Sequence, residues 1–108
     1  MELKTGMEDR VLTLWFSGEL DHHAAKDVMK KLELAVERYL PRQLVLDFSG
    51  VNFMDSSGLA VVMGAQKRMQ ILGGSAVLRN VPGQARKVLE AANIGRWIKM
   101  EEVTNESR

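Results

Sequence analysis

Two hydrophobic periods alternate along this chain, and the changes of period divide it into elements. From Val11 to Leu20 the period is two. Leu12, Leu14 and Phe16 fall on one face, and Thr13, Trp15 and Ser17 on the other, which is the pattern of a strand. The bulk of Trp15 predicts some cover on the second face too, and Gly18 ends the regular alternation. Upstream, Glu2 to Met7 is a weaker strand with Leu3 as its one strong apolar residue, followed by a polar turn at Glu8-Asp9-Arg10. From Ala24 to Leu40 the period lengthens: Ala25, Val28, Met29, Leu32, Ala35, Val36 and Tyr39 form one helical stripe, with Asp21 as the expected N-cap and Pro41 as the stop.

The second half repeats the scheme. Leu44-Val45-Leu46, within Gln43 to Phe48, is apolar on both faces, as in a central strand covered on both sides. Ser49-Gly50 reads as a turn, and Val51 to Met54 re-enters the core. A helix follows over about 57–72, with Leu59, Val62, Met63 and Met69 expected to face inward and Gln66 interrupting the stripe. Gly58 and Gly64 each lower helix propensity by about 1 kcal/mol relative to alanine. They predict close approach of another group to the backbone, on an exposed, contacted face. Gly73-Gly74 ends this helix, and Ser75 to Arg79 is a short strand. Asn80-Val81-Pro82-Gly83 opens a third helix with Ala85, Val88, Leu89 and Ala92 on one face. Asn93-Ile94-Gly95 closes it, Trp97 to Met100 is a last strand, and Glu101 to Arg108 is a polar, frayed end.

Strands that alternate with amphipathic helices imply right-handed crossovers and parallel neighbours. The expectation is a single α/β domain over residues 1–108, with a mixed, mostly parallel sheet of four to five strands and helices packed on it. In such folds the functional loops lie at the carboxyl ends of strands. Glu19 to His23, Val51 to Gly58 and Asn80 to Gly83 all follow strands and precede helices, so they are expected to meet at one end of the domain.

Composition narrows the function. With 45% hydrophobic residues in 108, the chain can build a core without cross-links, and its lack of cysteine excludes disulfides, thiol catalysis and cysteine metal sites. A net charge of +1 argues against nucleic acid as the partner. No apolar run is long enough to span a bilayer, and Met1-Glu2-Leu3-Lys4 has no signal pattern, so no membrane role and a cytoplasmic location are expected.

Two polar clusters carry the candidate chemistry. Asp55, Ser56 and Ser57 can each accept a hydrogen bond from the free N–H groups that open a helix. One such residue suffices for a cap, and here three stand in a row. A phosphate on one of the serines would sit where a helix N-terminus favours negative charge. The stretch is therefore either a helix start alone or a helix start used as a phosphorylation switch. Asp21, His22 and His23 form the second cluster. Adjacent histidines point apart and make a poor metal pair, and no other histidine or cysteine completes a site. This cluster is a capped, solvated loop or a partner contact beside Asp55 and Ser56. No G-x-S-x-G elbow or phosphate-binding loop is present, so a serine hydrolase or a nucleotide hydrolase has little support. Met29 and Met69 fit the core, while Met63 is open between core and surface contact.

Gly18-Glu19-Leu20-Asp21-His22-His23, Asp47, Phe53-Met54-Asp55-Ser56-Ser57-Gly58-Leu59 and Leu72-Gly73-Gly74 together resemble the STAS domain. Within that family they resemble the bacterial anti-sigma factor antagonists of the sporulation branch, over nearly the whole chain. The resemblance implies a binding protein, not an enzyme. Its unmodified form would bind an ATP-bound anti-sigma factor that is also a serine kinase, and so free a sigma factor, with sporulation sigma F the one expected. The kinase would phosphorylate the first serine after the motif aspartate, here Ser56, and a manganese-dependent PP2C-type phosphatase would reverse the step. Neither ATP nor metal would belong to this chain. The expected partner-contact set is Asp21, His22, His23, Asp55, Ser56, Ser57, Gly58 and Met63. The alternative is a non-phosphorylated STAS scaffold or ligand-sensing module. Two features depart from the family: the apolar pattern ends soon after Met100, where a further short helix is frequent, and Ala60 stands where glycine is frequent.

Overall fold

The computed structural model describes residues 1–102, so the end of the polar tail lies outside the described residues. Among the described residues, five strands and three helices alternate in the expected order: β1 (Glu2–Glu8), β2 (Val11–Leu20), α1 (His22–Tyr39), β3 (Gln43–Met54), α2 (Ser57–Ile71), β4 (Ser75–Arg79), α3 (Gly83–Ala91), a 3₁₀ turn (Ile94–Arg96) and β5 (Lys99–Glu101). The strands lie side by side in chain order. β1 and β2 are antiparallel, and each later neighbour is parallel. Asp9 and Arg10, at φ 52 and 68, supply the left-handed pair that a two-residue hairpin loop needs to match strand twist.

Because the parallel strands advance in one direction with crossovers of one hand, all three helices fall on one face of the sheet. The core records this: Leu12, Leu14, Phe16, Leu44, Leu46, Phe48 and Leu78 pack with Val28, Leu32 and Val36 of α1, Val62 and Met69 of α2, and Ala85 and Leu89 of α3. No helix among the described residues covers the other face. There Trp15 is 43% exposed and lies over Gly6, where a Cβ would come within 2.9 Å of its ring. Val45 and Val77 are nonetheless buried on that face, in a cross-strand row with Thr13 and Lys99. The cover expected on both sides of the central strand is supplied by helices on one side only; on the other, Val45 is buried within its cross-strand row.

Two other expectations change. Ser49-Gly50 is not a turn. β3 runs unbroken from Gln43 to Met54, and the register with β2 slips there, from Trp15–Asp47 to Ser17–Gly50. One extra residue on β3 is thereby absorbed as a bulge. In α2 the buried face is Gly58, Val61, Val62, Ala65 and Met69; Met63 is exposed and Leu59 only half-buried. Gln66, which interrupts the stripe, donates to the carbonyl of Trp97 at 2.6 Å and accepts from the N–H of Ala76 at 3.1 Å. It thereby satisfies a β4 donor that lies beyond the reach of the short β5. At the C-terminus of α2, Gly74 N–H bonds the Met69 carbonyl and Gly73 N–H the Gln70 carbonyl, with Gly73 at φ 81, which is the Schellman arrangement.

Candidate functional site

The carboxyl ends of β2, β3 and β4 meet at one pole, as the order of elements predicts, and Asp55 stands at the junction. Its Oδ1 accepts from Ser57 N–H at 2.8 Å, and its Oδ2 accepts from His22 N–H at 3.1 Å. Its own N–H bonds the Leu20 carbonyl, and its carbonyl takes the Gly58 N–H. Asp55 therefore performs the N-cap role for α2 and also fixes the first residue of α1. Each helix head has one of its orphan donors satisfied by the same carboxylate.

Ser56 is released by this arrangement. Its backbone is already helical, at φ −63 and ψ −17, and its side chain makes no cap bond. It is exposed, and Ser57 beside it is half-buried. The three-residue polar run thus divides its labour: Asp55 caps, Ser57 offers its N–H to Asp55, and the Ser56 hydroxyl, at the positive end of α2, makes no cap bond among the described residues.

Two further contacts hold the loop. Gln84, at the head of α3, accepts from Met54 N–H at 2.7 Å and donates to the Met54 carbonyl at 2.8 Å. Gln84 was not singled out in the sequence, and nothing local marks it: an exposed glutamine becomes a latch only because the topology sets α3 beside β3. Gly58 is buried, and a Cβ there would lie 2.5 Å from Met54 Cγ and 3.2 Å from Leu20 Cδ2. Its missing side chain lets the first turn of α2 sit down on the strand ends. Gly64 likewise receives Met29 of α1, whose methyl would be 2.9 Å from a Cβ. The close approaches predicted at both glycines exist, but they are internal contacts and not an exposed face. Of the expected contact set, Gly58 is the one buried residue.

The other members reach the surface to varying degrees. Asp21 is half-buried and accepts from Ala24 N–H at 3.0 Å, capping α1. His22 and His23 are exposed, their rings 6.0 Å apart and edge to face, and no cluster able to hold a metal occurs among the described residues. Met63 is 41% exposed and lines a cleft with Trp97, which is 59% exposed. Phe53, at the end of β3, is exposed as well. The sequence pattern places Phe53 in a stretch that re-enters the core and Trp97 in a last strand, whereas Phe53 is exposed within β3 and Trp97 closes the 3₁₀ turn before β5, which begins only at Lys99. No helix of the described residues is long and apolar enough to cross a membrane.

Comparison with known proteins matches this geometry. The anti-sigma F factor antagonist of Lysinibacillus sphaericus is 33% identical over 81 residues, 75% of this chain and 69% of that protein. The structure of the anti-sigma factor antagonist SpoIIAA in its unphosphorylated form aligns at a TM-score of 0.81 and 29% identity, covering 98% of this chain and 91% of its own. The Bacillus cell fate determinant SpoIIAA in the phosphorylated form aligns at 0.74 and 29%, covering 98% and 95%. The STAS domain family matches residues 3–107, and to that family, alongside the anti-sigma factor antagonists, the chain belongs.

Proposed function

We infer that this protein is an anti-sigma factor antagonist gated by phosphorylation of Ser56. The bare form binds an ATP-bound anti-sigma factor serine kinase and frees the sigma factor, sporulation sigma F. Phosphorylation ends the interaction, and a PP2C-type phosphatase restores it. The chain acts by binding and carries out no chemistry of its own. The observation that supports this most is the free, exposed Ser56 hydroxyl beside a cap already supplied by Asp55. A relative solved in phosphorylated and unphosphorylated forms points the same way.

The physics of release is a sign change at the helix head. A phosphoserine carries about −1.5 to −2 charges at neutral pH. Brought against a kinase site that holds nucleotide phosphates, it costs several kcal/mol, about a hundredfold or more in affinity. The helix dipole returns only about 0.3–2 kcal/mol, and returns it in the free protein as well. Asp21, His22, His23, Asp55, Ser57, Gly58 and Met63 make up the rest of the proposed contact set.

Incubation with the cognate kinase and ATP, read by intact mass, tests the site. Wild type and Ser57→Ala gain one phosphate, and Ser56→Ala gains none. Phosphate found on Ser57 alone would move the switch. Ser56→Asp weakens kinase binding; an undiminished affinity would remove the electrostatic account.

A further inference from the structure

Asp55 starts α1 and α2 side by side, and the Glu33–Arg68 ion pair, 2.9 Å long, ties them again three turns below. Between these two ties a groove of about 430 Å³ opens. Its floor is Ala25 and Met29 of α1 and Ala60 and Val61 of α2, Lys26 and Lys30 stand along it, and Glu33, paired with Arg68, also lines it. The depth comes from small residues. Ala25 and Ala60 both line it, where larger side chains would narrow it, and Gly64 lets Met29 lie down against α2.

The charges are lopsided. Lys31, on the same helix, is taken by Asp27 at 3.1 Å, and Glu33 is taken by Arg68. Lys26 and Lys30 are exposed and have no ion-pair partner among the described residues. Lysines on a helix are usually only solvated. Here two unneutralised ones flank an apolar floor, and Ser56 precedes Ala60 of that floor by one helical turn.

We propose that this groove seats an acidic segment of the kinase partner, an apolar side chain on the floor with carboxylates against Lys26 and Lys30. The inference rests on the function proposed above and adds to it. An acidic occupant is repelled by a phosphate at the groove's head, so modification of Ser56 weakens this contact as well as the one at the nucleotide. It also gives Ala60, which departs from the family's frequent glycine, a place in the partner's footprint.

The test is calorimetric binding of the cognate kinase to the full chain, to Lys26→Glu/Lys30→Glu, and to a control, Lys4→Glu/Lys87→Glu, which makes the same charge change on β1 and α3. All four lysines are exposed, so both variants should fold, and circular dichroism checks this. The groove variant is expected to bind at least about tenfold more weakly and with a shallower salt dependence, while the control stays within about twofold of wild type. Groove-variant binding equal to wild type overturns the proposal, as does an equal loss in the control, which would reduce the effect to net charge. Failure of the parent reading looks different: wild type then binds no kinase at all, and the groove proposal falls with it.

Discussion

The heads of α1 and α2 are written alike, a strand followed by aspartate and two polar residues, yet they are built differently. Asp21 serves its own helix: its side chain takes Ala24 N–H, and its carbonyl takes Ala24 and Ala25. Asp55 serves two, taking Ser57 in its own helix and His22 in the other. The histidines after Asp21 are anchored through the His22 N–H. The serine after Asp55 is held only through its backbone, where its carbonyl takes Leu59 N–H, and its side chain makes no cap bond. A group that does no structural work can be modified without loss of the fold, and this separates a switch position from a cap.

The sharpest way to break this picture is at Gly58, which seats the head of α2. A methyl there collides with Met54 Cγ, an atom close to the backbone in a fully buried side chain. Gly58→Ala is therefore expected to lose about 1–3 kcal/mol of stability in urea unfolding, more than helix propensity can return so near the helix start. The same substitution at Gly64 meets only the terminal methyl and sulfur of Met29, which can swing aside. Gly64→Ala is expected to be neutral, or to stabilise by up to about 1 kcal/mol. Equal losses at both sites would mean that helix approach, and not the seating of the head, is what glycine provides.

The two aspartates come next. Removing a cap costs about 1 kcal/mol, and that is the expectation for Asp21→Ala. Asp55→Ala opens both heads and is expected to cost about twice as much. Hydrogen exchange should show fraying of His22 as well as Ser57. If only the α2 head frays, the bond across to α1 contributes nothing and the comparison of the two aspartates fails.

Much of this was legible in the sequence, because the elements announce themselves by period. The alternation of β2 and the stripe of α1 are local, and the order of elements then dictated a parallel sheet and placed three loops at one pole. What was hidden is non-local. Ser49-Gly50 has the composition of a turn, and only its pairing with β2 reveals a bulge. In α2 apolar residues lie on nearly every side, so periodicity could not choose a face. The choice fell to Gly58 and Gly64, whose neighbours Met54 and Met29 come from other elements. Asp55, Ser56 and Ser57 looked equivalent as caps. That the aspartate takes the role, and that its second oxygen crosses to His22, depends on α1 starting beside α2, which no spacing within the run encodes.

The smallest expected effect bears most directly on the switch. Ser56→Asp places a negative charge on the first turn of α2, where the helix dipole is worth about 0.3–1 kcal/mol to an exposed anion. Asp55 lies next to it, but that repulsion is between partly exposed charges and is screened by solvent and salt. The free variant is therefore expected to melt at the wild-type temperature or slightly above it. This separates two explanations of any loss in kinase binding. If stability holds while binding falls, the anion acts across the interface on a fold that has not moved. If Ser56→Asp melts well below wild type, the head of α2 cannot carry the charge, and lost binding would report local unfolding instead of repulsion.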